Sequence, residues 1–138
     1  MKRLFVDTGA WDAIADGADS NHELALLYRD EIAGQCYLVT TNYVLDELYT
    51  LLLMNIGHRA TVKFKQDLEL LIREKILEVV WVSEEVAMNA WDVFEQFNED
   101  KRWSFTDCTS YTIMKEYGLT DVFAFDHHFD QMGFVRKP

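Results

Sequence analysis

The sequence predicts an α/β fold, a parallel sheet with helices on both faces. Three observations carry this. Short β-branched apolar runs alternate with longer stretches of helical periodicity along the whole chain. There is one proline, the last residue, and only six glycines, too few for the many tight turns of an all-β sandwich. The length of 138 residues, with 49% apolar and 27% charged, is that of one globular domain able to bury a core without disulfides or a structural metal.

The elements follow in order. Leu4 to Val6 is a short apolar run stopped by Asp7-Thr8-Gly9, a buried strand ending in a turn. Ser20 and Glu23 have capping-box spacing, so a helix is expected from about Asn21 to Ala33, closed by Gly34. Tyr37 to Thr40 is a short strand. Tyr43 to Met54 is nearly all apolar, long enough for about three helical turns, and closes near Gly57. Arg59 to Glu74 carries Val62, Phe64, Leu68, Leu71 and Ile72 as an amphipathic helix. Leu77 to Val82 reads as a strand, and Ser83-Glu84-Glu85 opens a helix whose Val86, Ala90, Trp91, Phe94 and Phe97 recur at helical spacing. Lys101 to Phe105 is a loop. Ser104 and Asp107 again have capping-box spacing, and a helix follows to Tyr117, closed by Gly118. Asp121 to Phe125 is the last strand, stopped by Asp126. No linker, repeat or low-complexity tract interrupts this, so residues 1–138 read as one domain.

Composition narrows the function. Thirteen basic against 24 acidic residues give a net charge of −11, which opposes nucleic-acid binding in bulk and favours a basic partner or a cluster of metal-binding carboxylates. Cys36 and Cys108 form neither a CxxC pair nor a zinc spacing and read as free thiols in a reducing compartment. The amino terminus has too short an apolar run for a signal-peptide core, and no stretch reaches the length of a membrane span, so a cytoplasmic protein is expected.

Ligands of open α/β sheets bind beyond the carboxyl ends of the strands. Asp7 and Asp126 stand at such ends, Asp107 at a helix N-terminus, and Glu47 within the nearly apolar helix, where an acid demands compensation. Each has a plainer explanation: turn residues for Asp7 and Asp126, a cap for Asp107, and an exposed stripe with Asp46 for Glu47. Taken together, four acids placed to converge at one end of a sheet suit magnesium or manganese rather than zinc. Such a site serves in-line phosphoryl displacement. No Gly-rich phosphate loop accompanies it.

These residues carry a resemblance. Leu4-Phe5-Val6-Asp7-Thr8, Thr41-Asn42-Tyr43-Val44-Leu45-Asp46-Glu47-Leu48, Ser104-Phe105-Thr106-Asp107-Cys108 and Ala124-Phe125-Asp126-His127-His128-Phe129 together resemble the PIN-domain nucleases. More narrowly, they resemble the toxin ribonucleases of VapB–VapC-type toxin–antitoxin systems. The resemblance implies a three-layer α/β/α sandwich with a mostly parallel sheet. It implies Asp7, Glu47, Asp107 and Asp126 as catalytic and metal-holding acids, with Mg2+ or Mn2+ as cofactor. RNA would be hydrolysed by water, not by the ribose 2′-hydroxyl, leaving a 5′-phosphate and a 3′-hydroxyl. Thr8, Asn42 and Thr106 would orient ligands or substrate, and Lys101 and Arg102 would contact phosphate. The implied partners are RNA, a small antitoxin with a basic tail that places an arginine in the acidic site, and a second copy of the chain.

Competing readings are weaker. Asp7-Thr8-Gly9-Ala10 matches the aspartic protease tetrapeptide, but the helical patterns do not suit a β-rich dimer. Asp126-His127-His128 matches the motif after which DHH phosphoesterases are named, yet the only other histidines are His22 and His58, so His127 and His128 read more simply as turn residues, one of which contacts the site edge. A PIN-like scaffold without nuclease activity and a housekeeping RNA-processing nuclease would share much of the same pattern. Retention of all four acids counts against the scaffold. Two divalent ions would bring the net charge to about −7, leaving local basic residues to receive RNA. Besides Lys101 and Arg102, the stretch from His58 through Arg59, Lys63 and Lys65 is basic, though both stretches read more simply as a solvated helix end or face. Trp11 and Trp103 lie near the expected site but are better suited to core packing than to stacking bases.

Overall fold

Leu4, Phe5 and Val6 are buried in succession. Successive strand residues point to opposite faces, so the sheet is covered on both sides, as parallel sheets require. The computed structural model describes residues 1–138. Strands β1 (Lys2–Val6), β2 (Cys36–Thr41), β3 (Leu77–Val80), β4 (Asp121–Phe123) and β5 (Val135–Lys137) form one sheet in the order β3-β2-β1-β4-β5. Every neighbouring pair is parallel. The helices are α1 (Thr8–Ala15), α2 (His22–Ile32), α3 (Asn42–Ile56), α4 (His58–Arg73), α5 (Glu84–Phe97), α6 (Phe105–Glu116) and the single turn α7 (His128–Gln131). None is long and apolar enough to cross a membrane.

The strand order matters for function. From β1 the chain builds outward through β2 to β3, then returns to add β4 and β5 on the opposite side of β1. The order therefore reverses between β1 and β4, and the loops leaving those strands diverge there to open a crevice. The helices close the core around it. Val44, Leu45, Leu48 and Leu52 form the buried stripe of α3, and Phe5, Phe123 and Phe129 are fully enclosed. Truncating Leu48 or Leu52, both wholly buried, to Ala costs ~2–5 kcal/mol.

Several local expectations need correction. Asp7-Thr8-Gly9 is not a turn: Asp7 is the extended N-cap of α1, and its carbonyl accepts from the N–H groups of Ala10 and Trp11. Burial of Ala10, Trp11 and Ala13 stabilises this helix despite Gly9 in its first turn. Ser20 caps nothing; α2 starts one residue later, held by Asp19, whose carboxylate accepts from Asn21 N and whose carbonyl accepts from His22 N. The third strand stops at Val80 because Val82 N donates to the Asn42 side chain instead of to a neighbouring strand. The fourth stops at Phe123, and the sequence pattern announces neither the short α7 nor the edge strand β5 after it. The capping box of α6 forms as expected, with Ser104 Oγ accepting from Asp107 N and Asp107 Oδ2 accepting from Ser104 N. Cys36 and Cys108 are both free.

Candidate active site

The crevice is lined by acids that each arrive by a different local rule. Asp7 ends β1 and caps α1, and its own N–H donates to Phe123 O at 3.0 Å, locking it across to β4. Asp107 is held at the start of α6 by the capping box. Asp126 lies beyond β4, where its Oδ1 accepts from His128 N at 2.9 Å in a local turn. Glu47 projects from α3. It is exposed, as is Asp46, so the expectation that it sits on a buried helix face and needs compensation there is wrong. The buried stripe of α3 runs through Val44, Leu45, Leu48 and Leu52 and leaves positions 46 and 47 to solvent.

The four acids nevertheless share one field. Burial, with the negative charges of Asp107, Glu47 and Asp126, pushes the Asp7 carboxyl from 3.8 up to about 8, against the lowering effect of the Thr8 backbone N–H. Asp107, Asp126 and His128 each offer a ligand atom within 4.8 Å of the others. His128 Nδ1 lies 2.8 Å from Asp107 Oδ2 and 3.3 Å from Asp126 Oδ2. Beside Asp7, the buried Thr8 hydroxyl oxygen has no hydrogen-bond partner. The donor set is one of carboxylate oxygens with an imidazole at its edge, and its repulsion is the kind a divalent cation relieves.

The remaining expected site residues divide. Asn42 is structural, because its Oδ1 accepts from Val82 N at 2.7 Å and ties the start of α3 to the end of β3. That bond engages the amide oxygen and leaves the Nδ2–H donors unused by it. Thr106 is half-buried in the first turn of α6, and its carbonyl accepts from the Thr109 hydroxyl. Lys101 pairs with Asp100 at 3.2 Å, whereas Arg102 is exposed and makes no ion pair. Trp103 and Trp11 are buried core residues, bonded to Gln131 and Thr40 respectively. Lys63 and Lys65 pair with Asp67 and Glu69 along α4, the solvated face the sequence suggests. Of the two histidines expected in a turn with one at the site edge, His128 is the one that touches the acids, although the sequence reading assigns it no role in the site. The signal for it is its place two residues after Asp126, which a short turn converts into direct contact.

The result is an α/β protein that brings Asp107, Asp126 and His128 within ligating distance of one another, with Asp7 and Glu47 in the same electrostatic field but outside that group. The family model of the PIN domain matches residues 4–135, and the chain belongs to that family. Its relatives include the 23S rRNA-specific endonuclease VapC20 of two Mycobacterium tuberculosis strains, 33% identical over 133 residues, with 96% of this chain and 95% of the relative covered. The crystal structure of that organism's VapC20, described as a sarcin–ricin loop cleaving toxin, matches with a TM-score of 0.81 at 31% identity over 96% of each chain. The fold is also that of VapBC2 from Rickettsia felis, solved with a promoter DNA fragment (TM-score 0.66, 11% identity, 98% of this chain and 97% of that one). FitAcB from Neisseria gonorrhoeae shares it too (TM-score 0.69, 16% identity, 98% and 96% covered).

Proposed function

We propose that residues 1–138 act as one nuclease domain, a divalent-metal-dependent endoribonuclease that is the toxin of a toxin–antitoxin pair. The observation that carries this is the meeting of Asp107, Asp126 and His128 within 4.8 Å beside the buried Asp7, whose carboxyl burial and three neighbouring acids push up to about 8. A fold does not keep such a group for stability, since replacing it by an uncharged residue would remove the repulsion. Asp7, Glu47, Asp107 and Asp126 are the residues that would hold Mg2+ or Mn2+, and the unpartnered Thr8 hydroxyl fits a water or phosphate oxygen beside it. A bound divalent ion supplies polarisation of the attacking water and neutralisation of charge on the phosphate oxygens. The chain's own residues fix the geometry: Asp7 through its bond to β4, Asp107 through its cap, Asp126 through its turn. The exposed Arg102, in the loop leading into α6, is the residue we assign to backbone phosphate, since it is a free cation close in sequence to Asp107.

The identity to a 23S rRNA-specific endonuclease makes 23S rRNA the first substrate to test. The partner reading rests on the same relatives and on the net charge of −11, which suits a basic antitoxin tail. Purified protein freed of any partner should cut ribosomes or total RNA into discrete fragments with 5′-phosphate ends. Cleavage should need Mn2+ or Mg2+ and be abolished by EDTA and by Asp7→Asn. Metal-replete protein that leaves ribosomal, transfer and messenger RNA intact would refute the assignment.

A further inference from the structure

We propose that His128 is a positioning residue of the metal centre: its Nδ1–H holds the Asp107 carboxylate and its backbone N–H that of Asp126, in the arrangement that receives the ion; the proposal rests on the reading above. Asp107 Oδ2 accepts from two donors, Ser104 N at 3.1 Å and His128 Nδ1 at 2.8 Å. Asp126 is engaged by the same residue through both oxygens, Oδ1 by His128 N at 2.9 Å and Oδ2 facing Nδ1 at 3.3 Å. A nitrogen lone pair aimed at two carboxylates would be repelled, so the proton sits on Nδ1 and the ring donates. One residue thus bridges acids that come from two distant parts of the chain, its ring bonded to the acid capping α6 and its backbone N–H to the acid leaving β4.

The ring is placed by the fold and not merely drawn in by charge. The next residue, Phe129, is fully buried, and its carbonyl accepts from Phe134 N. Gln131, at the end of the same turn, accepts from the buried Trp103 indole at 2.8 Å. Asp130 is clamped by Arg136 at 3.1 Å. With α7 fixed at these points, His128 meets Asp107 without needing to search for it. Its bond occupies Asp107 Oδ2, leaving Oδ1 as that carboxylate's uncommitted oxygen. Hydrogen bonds of this kind to metal-holding carboxylates set their orientation, and losing one typically weakens metal affinity ~10–100-fold.

The side chains of Asn and Gln separate the possible roles. Asn places its amide N–H where Nδ1–H lies, whereas Gln reaches to the position of Nε2. Mn2+ affinity of the purified protein is to be measured by calorimetric titration, beside thermal melts in EDTA. His128→Ala and His128→Gln should bind Mn2+ ~10-fold or more weakly, and His128→Asn should stay within about 3-fold of wild type. Should His128→Ala fail to fold, the contrast between Asn and Gln decides. Equal affinity in all variants, or loss in His128→Asn equal to that in His128→Gln, would overturn the role of His128 alone. Recovery in Gln but not Asn would make Nε2 a direct ligand and overturn it as well. A wild-type protein that binds no Mn2+ would overturn the metal-centre reading together with it.

Discussion

Replacing Asp7 by Asn should make the metal-free protein more stable while disabling the site. Between about pH 4 and about pH 8 the folded protein keeps the Asp7 proton that the unfolded chain has released. Stability then falls as pH rises, by up to ~1.4 kcal/mol per pH unit. The Asp7 contribution is complete below the unfolded value of 3.8 and is lost as pH passes through about 8. From about pH 6 to about pH 8 the loss is about 2 kcal/mol, or roughly 8 °C in Tm for a chain of this size. Asn keeps the oxygen that accepts from the Thr8 backbone N–H but cannot ionise. In EDTA, the Tm of Asp7→Asn minus that of wild type should therefore grow by roughly 8 °C over that pH interval. Saturating Mn2+ should reverse the order, since an ion at 100 times its Kd adds about 2.7 kcal/mol to whichever form binds it. Scanning calorimetry of both proteins at both pH values, with EDTA or Mn2+, makes the test. Melting curves that move in parallel with pH, or a variant that gains as much from Mn2+ as wild type, would refute the reasoning.

Further consequences are local. Burial, then the charges of Asp19 and Asp16, push Asp12 up to about 6, and its Oδ1 has no partner; Asp12→Asn should raise the Tm by a few degrees above about pH 6 and leave the Mn2+ response intact. Asp121 is buried at the start of β4, which would raise its carboxyl, but Lys2 and Thr120, with Lys137, bring it below the usual carboxylate range. Asp121→Ala should cost about 1–2 kcal/mol in urea unfolding near neutral pH, allowing for the half-exposed Lys2, and the difference should shrink under acid as the wild-type carboxylate protonates. Arg102→Glu should raise the KM for RNA and lower the salt slope of binding by ~1, whereas Lys63→Glu, already paired on α4, should not.

The alternation of β-branched runs with helical periods is enough to place the parallel sheet, because both signals report burial directly. The longest helices, α3 to α6, are legible for the same reason. What escapes a sequence reading is decided by tertiary contact. Thr8–Ala15 is a helix because its Ala10, Trp11 and Ala13 are covered by the rest of the protein, not because of any local cap side chain. Ser20 meets the spacing rule and loses to Asp19, which already holds the turn. The triplet strand β5 pairs only with β4 and carries too short a pattern to announce itself. At the site, sequence order names the acids but not their exposure. Glu47 faces solvent because the buried stripe of α3 passes through Val44 and Leu48 and skips the two acids between them. Asn42, matched on motif, is already engaged by Val82 across the sheet edge, a bond between residues 40 apart that no local reading can see.

The four acids do not share the cost of the site equally, and the difference explains how a stable fold carries it. Glu47 and Asp126 are exposed, where water screens their charge. Asp107 is buried, but Ser104 N and His128 Nδ1 both donate to it. Asp7 is buried as well and has no side-chain donor, so burial and the charge of Asp107 outweigh the one lowering effect on it, that of the Thr8 backbone N–H. The conflict is thus concentrated on one carboxyl, in the one place where the strand order reverses and a ligand can enter. Without metal, a single proton on Asp7 relieves most of the repulsion and the core around it stays intact. On the proposed reading, a divalent ion would compete with that proton for the Asp7 carboxylate. The proposed site would thus set its metal affinity against one localised protonation rather than against the stability of the whole core.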